Sequence, residues 1–143
     1  MMRRLLILLA TTMLTMAMPT TAIASHSLDV STNRKAILLS PTQVRVGGSI
    51  TCVGAAESGT VGVVLIQPPG GIALSGGGST GFSCTAGETV SWSLVVNANE
   101  FSTFTTGQAR FDTFANTNCS DEEVDCQSTG ENGTLKIKRH HRP

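Results

Sequence analysis

The sequence has few aromatic residues and no excess of charge of either sign. It contains no tyrosine, one tryptophan and five phenylalanines, and charged residues make up only 14% of its 143 residues. So few aromatic side chains leave little material for the exposed stacking platforms of modules that bind sugars or nucleobases. Ten basic and ten acidic residues give a formal net charge of zero. This balance argues against a nucleic acid as partner, because domains that bind nucleic acids carry a basic excess.

No apolar segment reaches the roughly 20 residues that a helix needs to cross a bilayer. The main apolar run, residues 5–17, follows a short basic start and precedes small residues up to Ala24. This pattern predicts a secretory signal peptide over residues 1–24 and no transmembrane segment after its removal. We therefore expect a secreted or extracytoplasmic protein.

Cysteine is also scarce, since the chain has only Cys52, Cys84, Cys119 and Cys126. An even number of cysteines in an exported chain predicts two disulfides, and three pairings are possible. We favour Cys52–Cys84, which would join two strands, and Cys119–Cys126, which would close a short loop. A cysteine metal site is disfavoured because the sequence has no C-x-x-C pair.

The apolar pattern is that of strands, and no segment shows the 3.6-residue period of a helix. In residues 89–96, apolar side chains alternate with serines around Trp92, as in a half-buried strand. Residues 61–66 are almost all apolar, which is typical of a central strand. Seven to nine short strands of this kind predict an all-β protein, with an antiparallel β-sandwich as its architecture.

Glycines and polar segments set the predicted boundaries. There are 15 glycines, and we expect turns at residues 47–48, 76–78 and 132–133. The polar start of the mature chain shows no periodicity and predicts a flexible lead-in. The predicted organisation is a signal peptide, a flexible lead-in, one β-sandwich domain and a basic tail (residues 1–24, 25–35, 36–138 and 139–143).

Three short segments resemble the immunoglobulin-like β-sandwich found in exported proteins. Ser40-Pro41 resembles its opening, residues 48–52 resemble its second strand, and residues 107–111 resemble a late strand. The resemblance implies an immunoglobulin-like fold over most of the mature chain. It concerns the fold alone and implies no functional residue.

One segment matches a catalytic motif, the nucleophile elbow G-x-S-x-G, with Ser79 as its serine. The motif works only at a strand-to-helix turn to which the fold brings a histidine and an acid. Here it lies among glycines between predicted strands, and the histidines are near the two ends of the chain. We expect a glycine-rich turn and no enzyme.

Four carboxylates lie within the predicted Cys119–Cys126 loop: Asp121, Glu122, Glu123 and Asp125. Carboxylate oxygens are ligands that Ca²⁺ prefers, so a calcium site is one interpretation. The other is a solvated acidic loop, because the spacing is not that of an EF-hand. We expect no other cofactor.

The chain ends in a basic segment with Lys136, Lys138, Arg139 and Arg142. In the last predicted strand, residues 134–138, Leu135 and Ile137 point into the core and the two lysines point outward. Such a segment can rest on an anionic surface such as a cell wall or lipid headgroups, in a salt-sensitive way. The alternative is a frayed, solvated tail.

These features together predict an exported, disulfide-stabilised, non-catalytic binding or structural module with an unknown protein or cell-surface partner. The alternative function is a carrier of a small ligand or of Ca²⁺ that uses the acidic disulfide loop. Asn118 and Asn132 begin N-glycosylation sequons, which have meaning only in a host with that machinery.

Overall fold

The computed structural model describes residues 26–67, 74–118 and 126–140, which form eight β-strands. No helix occurs in this part of the chain, and hence none that is long and apolar enough to cross a membrane. The all-β prediction is confirmed. The strands are β1 (Ser27–Thr32), β2 (Lys35–Ser40), β3 (Gln43–Val53), β4 (Glu57–Gln67), β5 (Leu74–Cys84), β6 (Thr89–Ala98), β7 (Gly107–Thr117) and β8 (Ser128–Arg139).

The strands close into a barrel. Seven of them follow one another around it in the order β3-β2-β8-β7-β4-β5-β6, and β6 pairs again with β3. Strand β1 is not one of these seven. It pairs with the second half of β3, along the same edge whose first half pairs with β2. All pairs are antiparallel except β2–β8, in which Lys35 lies opposite Lys136 and Leu38 opposite Arg139.

The sheet therefore differs from the predicted antiparallel sandwich in two respects. The sheet is mixed, because the start of the domain runs parallel to its last strand. The sheet is also closed. Strand β4 pairs with β5 along the whole length of one edge and with β7 along its other edge. A sandwich would leave the two sheets unjoined at that corner.

The barrel interior holds the apolar side chains that alternate along each strand. On β7 every second residue points inward, so Ala109, Phe111, Thr113 and Ala115 are buried. Trp92 on β6 is 5% exposed, and its indole Nε1 donates a hydrogen bond of 3.1 Å to the Ser49 carbonyl. This pairing of a buried ring with a satisfied N–H confirms Trp92 as a core residue.

Several predicted irregular segments are strands. The expected lead-in contains β1, whose Leu28 and Val30 are buried in the core. The expected turns at residues 47–48, 76–78 and 132–133 lie inside β3, β5 and β8. At Gly48 a close approach explains the residue, because a Cβ there would overlap the Ser31 carbonyl and lie 2.6 Å from the Trp92 ring. The glycine lets two strands and an indole meet; it does not turn the chain.

The predicted disulfide between Cys52 and Cys84 is confirmed. It joins the ends of β3 and β5, with 5.9 Å between the two Cα atoms. Cys126 is disulfide-bonded as well, and Cys119, its predicted partner, lies outside the described residues.

Candidate functional site

The two ends of the barrel differ in charge, although one exposed carboxylate, Glu100, lies at the same end as the cations, in the connection between β6 and β7. At one end, here called the basic end, β2, β4, β6 and β8 finish and β3, β5 and β7 begin. Lys138 and Arg139 lie there, at the end of β8. The opposite end, here called the acidic end, carries Asp29, Glu57 and Glu88 at the start or edge of strands that begin there. This separation of charge gives the barrel an electrostatic polarity along its axis.

Four exposed cations form a cluster beside the basic end: Lys35, Lys136, Lys138 and Arg139, here called the basic cluster. The parallel register places Lys35 directly opposite Lys136, and Ile37 opposite Lys138. The amide of Lys136 donates a hydrogen bond of 2.9 Å to the Arg34 carbonyl, which fixes this register. Leu135 and Ile137, which alternate with the two lysines along β8, are buried in the core, so Lys136 and Lys138 point outward, as predicted.

The charges of the basic cluster are not neutralised within the described part of the chain. Its ion pairs are His26–Glu57 and Arg34–Glu131, and neither involves a member of the cluster. Like charges directly opposite one another in a sheet are destabilising, so the Lys35–Lys136 pair weakens the sheet slightly. An anion from outside the molecule would relieve that repulsion.

Arg139 extends the cluster onto the rim of the barrel. Along β8 it lies on the same face as Leu135 and Ile137, which point inward. Arg139 is the last residue of the strand, however, and its side chain is exposed. With His140 it lines a shallow depression whose other wall is formed by Leu38, Leu39 and Pro41. Positive charge and apolar side chains therefore meet at this rim.

The connection between β6 and β7, residues 99–106, also lies at the basic end. Phe104 is buried, and its amide donates a hydrogen bond of 2.6 Å to the Pro41 carbonyl. The buried side chain of Gln67 binds both backbone polar groups of Thr105. It accepts a hydrogen bond of 2.9 Å from the Thr105 amide and donates one of 3.0 Å to the Thr105 carbonyl. The connection is thus fastened to β4 and to the β2–β3 turn.

Phe101 stands at the tip of this connection and is fully exposed, with a relative accessibility of 103%. Its backbone φ is 67°, the only positive value at a non-glycine residue in the described part of the chain. The sequence alone does not distinguish Phe101 from the buried Phe104, because only tertiary contacts decide which ring enters the core.

The other predicted sites receive no support from this geometry. Arg142 and the four carboxylates Asp121, Glu122, Glu123 and Asp125 lie outside the described residues. Ser79 lies in the middle of β5, opposite Gly62, so the strand-to-helix turn that the elbow motif requires is not formed there. Across residues 26–67, 74–118 and 126–140, no three His, Cys, Asp or Glu side chains come together as metal ligands.

The acidic end contains one titrating group with a perturbed pKa. The Thr85 amide and hydroxyl donate hydrogen bonds of 2.8 and 2.9 Å to the Glu88 carboxylate. These bonds lower the pKa of Glu88 below its ordinary value of 4.5, since they stabilise the charged form. They close the turn between β5 and β6, next to the disulfide, and have a structural role.

Lys35 is the member of the basic cluster that sequence analysis missed. It was assigned to the lead-in, because the polar residues around it show no period. It meets Lys136 only through the parallel β2–β8 pair, which joins the two ends of the domain. A pairing across so much sequence leaves no local signal.

No protein-family model matches the chain, and no curated protein matches it in sequence. Among solved structures it is similar to a β-glucosidase from Listeria innocua in complex with isofagomine, with 14% identity and a TM-score of 0.43 over 83% of this chain and 17% of that chain. It is also similar to the sporulation control protein Spo0M from Bacillus subtilis, with 10% identity and a TM-score of 0.39 over 82% of this chain and 51% of that chain. The chain thus spans about half or less of the length of these proteins. Similarity this distant carries no argument about function.

Proposed function

We propose that this chain is an exported, non-catalytic binding module that attaches to anionic surfaces through its basic cluster. The observation that carries the proposal is the adjacent placement of Lys35, Lys136 and Lys138 on β2 and β8, exposed and without ion pairs among the described residues. A cell-wall polymer or a layer of anionic headgroups would supply the negative charge that the described part of the chain does not place in an ion pair with these lysines.

Charge polarity supports an oriented attachment. A lysine or arginine close to an anionic lipid surface contributes about 1 kcal/mol of binding free energy, which falls off within a Debye length. The carboxylates of Asp29, Glu57 and Glu88 lie toward the far end of the strands, beyond this range. In the reversed orientation they would face the surface and be repelled by it. A net charge near zero is compatible with this mechanism because the charge is segregated.

The order of the strands supports an immunoglobulin-like fold for the module. The neighbours β1-β3-β6-β5 follow the A-B-E-D order of the constant-type immunoglobulin domain, and β4-β7-β8 follow its C-F-G order. In this proposal the barrel is such a fold, closed by the β4–β5 pair. Its disulfide joins the second and fourth strands of that scheme, a departure from the usual link between the second and sixth.

Export is part of the proposal. A disulfide between β3 and β5 fits an oxidising compartment, where such bonds persist. The predicted signal peptide lies outside the described residues and remains a sequence prediction. In an exported module the basic cluster would face the outer leaflet or the wall of the cell.

Retention of the secreted protein on immobilised polyphosphate, followed as salt rises, tests the proposal. Lys138→Gln should weaken binding about fivefold, the equivalent of about 1 kcal/mol. Ser83→Glu is the matched control, because it lowers the net charge by the same one unit at an exposed position on β5, three strands away from β8 around the barrel. Equal losses in the two variants, or retention that does not respond to salt, would rule out the basic cluster as the binding site.

The alternative function, a carrier of Ca²⁺ or of a small ligand, stays a prediction. Its acidic residues lie outside the described part of the chain, so no contact reported above bears on it.

A further inference from the structure

Among the described residues, one large apolar side chain is fully exposed to solvent. Phe101 is fully exposed, and its φ of 67° places a bulky residue in the left-handed region that favours glycine or asparagine. The other exposed aromatic, Phe114, has a structural explanation, because its ring covers Gly62 on the neighbouring strand where a Cβ would overlap it. Phe101 has no such partner.

The connection around Phe101 holds the backbone of this residue in place. On one side the Ala98 amide donates to the Thr42 carbonyl at 2.9 Å, and the Ser102 amide donates to the Asn99 carbonyl at 3.0 Å. On the other side the Phe104 ring is buried, and the Gln67 side chain binds the backbone of Thr105. A loop backbone held in this way has little conformational freedom to lose on binding, which lowers the entropic cost of using the exposed ring as a contact.

The surroundings of Phe101 indicate which environment it enters. The ring shares the basic end with the cations Lys138 and Arg139, with one exposed carboxylate, Glu100, and with the apolar rim at Leu39 and Pro41. An apolar tip beside cations matches the boundary of an anionic bilayer, in which aromatic rings sit at headgroup level and lysine or arginine meets the phosphates. An anionic polymer would satisfy the cations but would offer nothing to the phenyl ring.

We propose that Phe101 is the apolar anchor by which this end of the barrel docks on an anionic lipid bilayer. This inference rests on the proposed function and narrows its target from anionic surfaces in general to a lipid surface. Attraction between the basic cluster and the headgroups brings the barrel to the membrane. Insertion of Phe101 then adds a contribution that salt does not screen.

The test is cosedimentation of the secreted protein with phosphatidylcholine vesicles, with and without phosphatidylglycerol, at low and at high salt. Phe101→Asn removes the ring and eases the left-handed backbone, so the variant should fold at least as well as the parent. We expect it to lower binding to the anionic vesicles at least about tenfold. Val53→Ala, which trims an exposed apolar side chain at the acidic end, is the matched control and should bind like the parent.

A second variant reports insertion directly. Phe101→Trp keeps a large apolar ring, so it should retain binding, and its emission should shift to the blue when anionic vesicles are added. Trp92 is buried and should contribute a constant background, which the parent protein measures.

The outcomes separate this inference from the proposed function. Binding of Phe101→Asn to polyphosphate but no longer to vesicles supports both. Equal vesicle binding by Phe101→Asn and the parent, or retention of the parent on polyphosphate but not on vesicles, overturns the lipid anchor and leaves the proposed function standing. In that case the exposed ring would be a contact for a protein partner. Failure of the parent to bind either material overturns both.

Discussion

A substitution at Gly48 tests whether the glycines of this barrel serve close packing or turning. Gly48 lies within β3, opposite Trp92 on β6 and Thr32 on β1. In Gly48→Ala the new Cβ would overlap the Ser31 carbonyl and lie 2.6 and 2.8 Å from two atoms of the Trp92 ring. Neither neighbour is the end of a flexible chain, so β1 has to move away from β3 or the indole has to leave its place.

The magnitude follows from what would be displaced. Overpacking of a buried site costs roughly 1–3 kcal/mol when the neighbours adjust. Displacement of β1 also exposes part of Leu28 and Val30, which are 7% and 6% exposed in the barrel, and each is worth roughly 1.5–3 kcal/mol when fully buried. We therefore expect Gly48→Ala to lower the free energy of unfolding by about 3 kcal/mol, which corresponds to a fall in Tm of about 10 °C for a domain of this size.

The assay is urea unfolding followed by the fluorescence of Trp92, with a thermal melt in parallel. Gly77→Ala is the matched control: Gly77 lies in another predicted turn that proved to be a strand, but the nearest atom to its new Cβ, the Val63 carbonyl oxygen, is 3.8 Å away. That variant should be neutral or slightly stabilised. If the crowding at Gly48 did not matter, alanine would be tolerated there about as well as at Gly77, so equal stability of the two variants would refute the packing account.

Three further predictions concern other parts of the fold. Replacing Cys84 by serine opens the link to Cys52 across 32 residues of sequence and should destabilise the protein by about 3–4 kcal/mol in the chain-entropy account; a loss below about 1 kcal/mol in a denaturant titration would contradict it. Because hydrogen bonds from Thr85 lower the pKa of Glu88, its charge stabilises the folded state fully above the ordinary value of 4.5 and no longer once the pH has fallen through the lowered pKa. The stability gap between the parent and Glu88→Gln should therefore shrink on acidification below 4.5, and a gap that widens there would reverse the sign of this argument. Added Ca²⁺ should leave Tm unchanged if the acidic segment is merely solvated, whereas a rise in Tm that Asp121→Asn abolishes would favour the carrier function.

Local sequence patterns predicted those strands that have one apolar and one polar face. The alternation around Trp92 indicated residues 89–96, and β6 spans Thr89–Ala98. The inward phase of Leu135 and Ile137 was also correct. Patterns failed where glycine stands in a strand, because the same residue serves turns and close approaches. Only the position of the Trp92 ring shows which of these Gly48 provides.

Long-range pairing accounts for the remaining differences. The parallel alignment of β2 with β8 closes the barrel and brings Lys35 to Lys136, yet neither segment contains a signal for the other. The cations at the end of β8 could be identified from the sequence as an exposed basic segment, whose binding to a surface stays a prediction. Their neighbours Lys35 and Phe101 could not, since exposure and adjacency are properties of the closed barrel.

The central claim is that the molecule binds through its basic end, and amide chemical-shift mapping tests it most directly without any substitution. The labelled, secreted protein would be titrated with nanodiscs of phosphatidylglycerol and phosphatidylcholine. We predict that perturbations gather at Phe101, Lys138 and Arg139, while Glu57 and Glu88 at the acidic end stay unchanged. Perturbations centred on the acidic end, or none under conditions of low salt, would contradict the account.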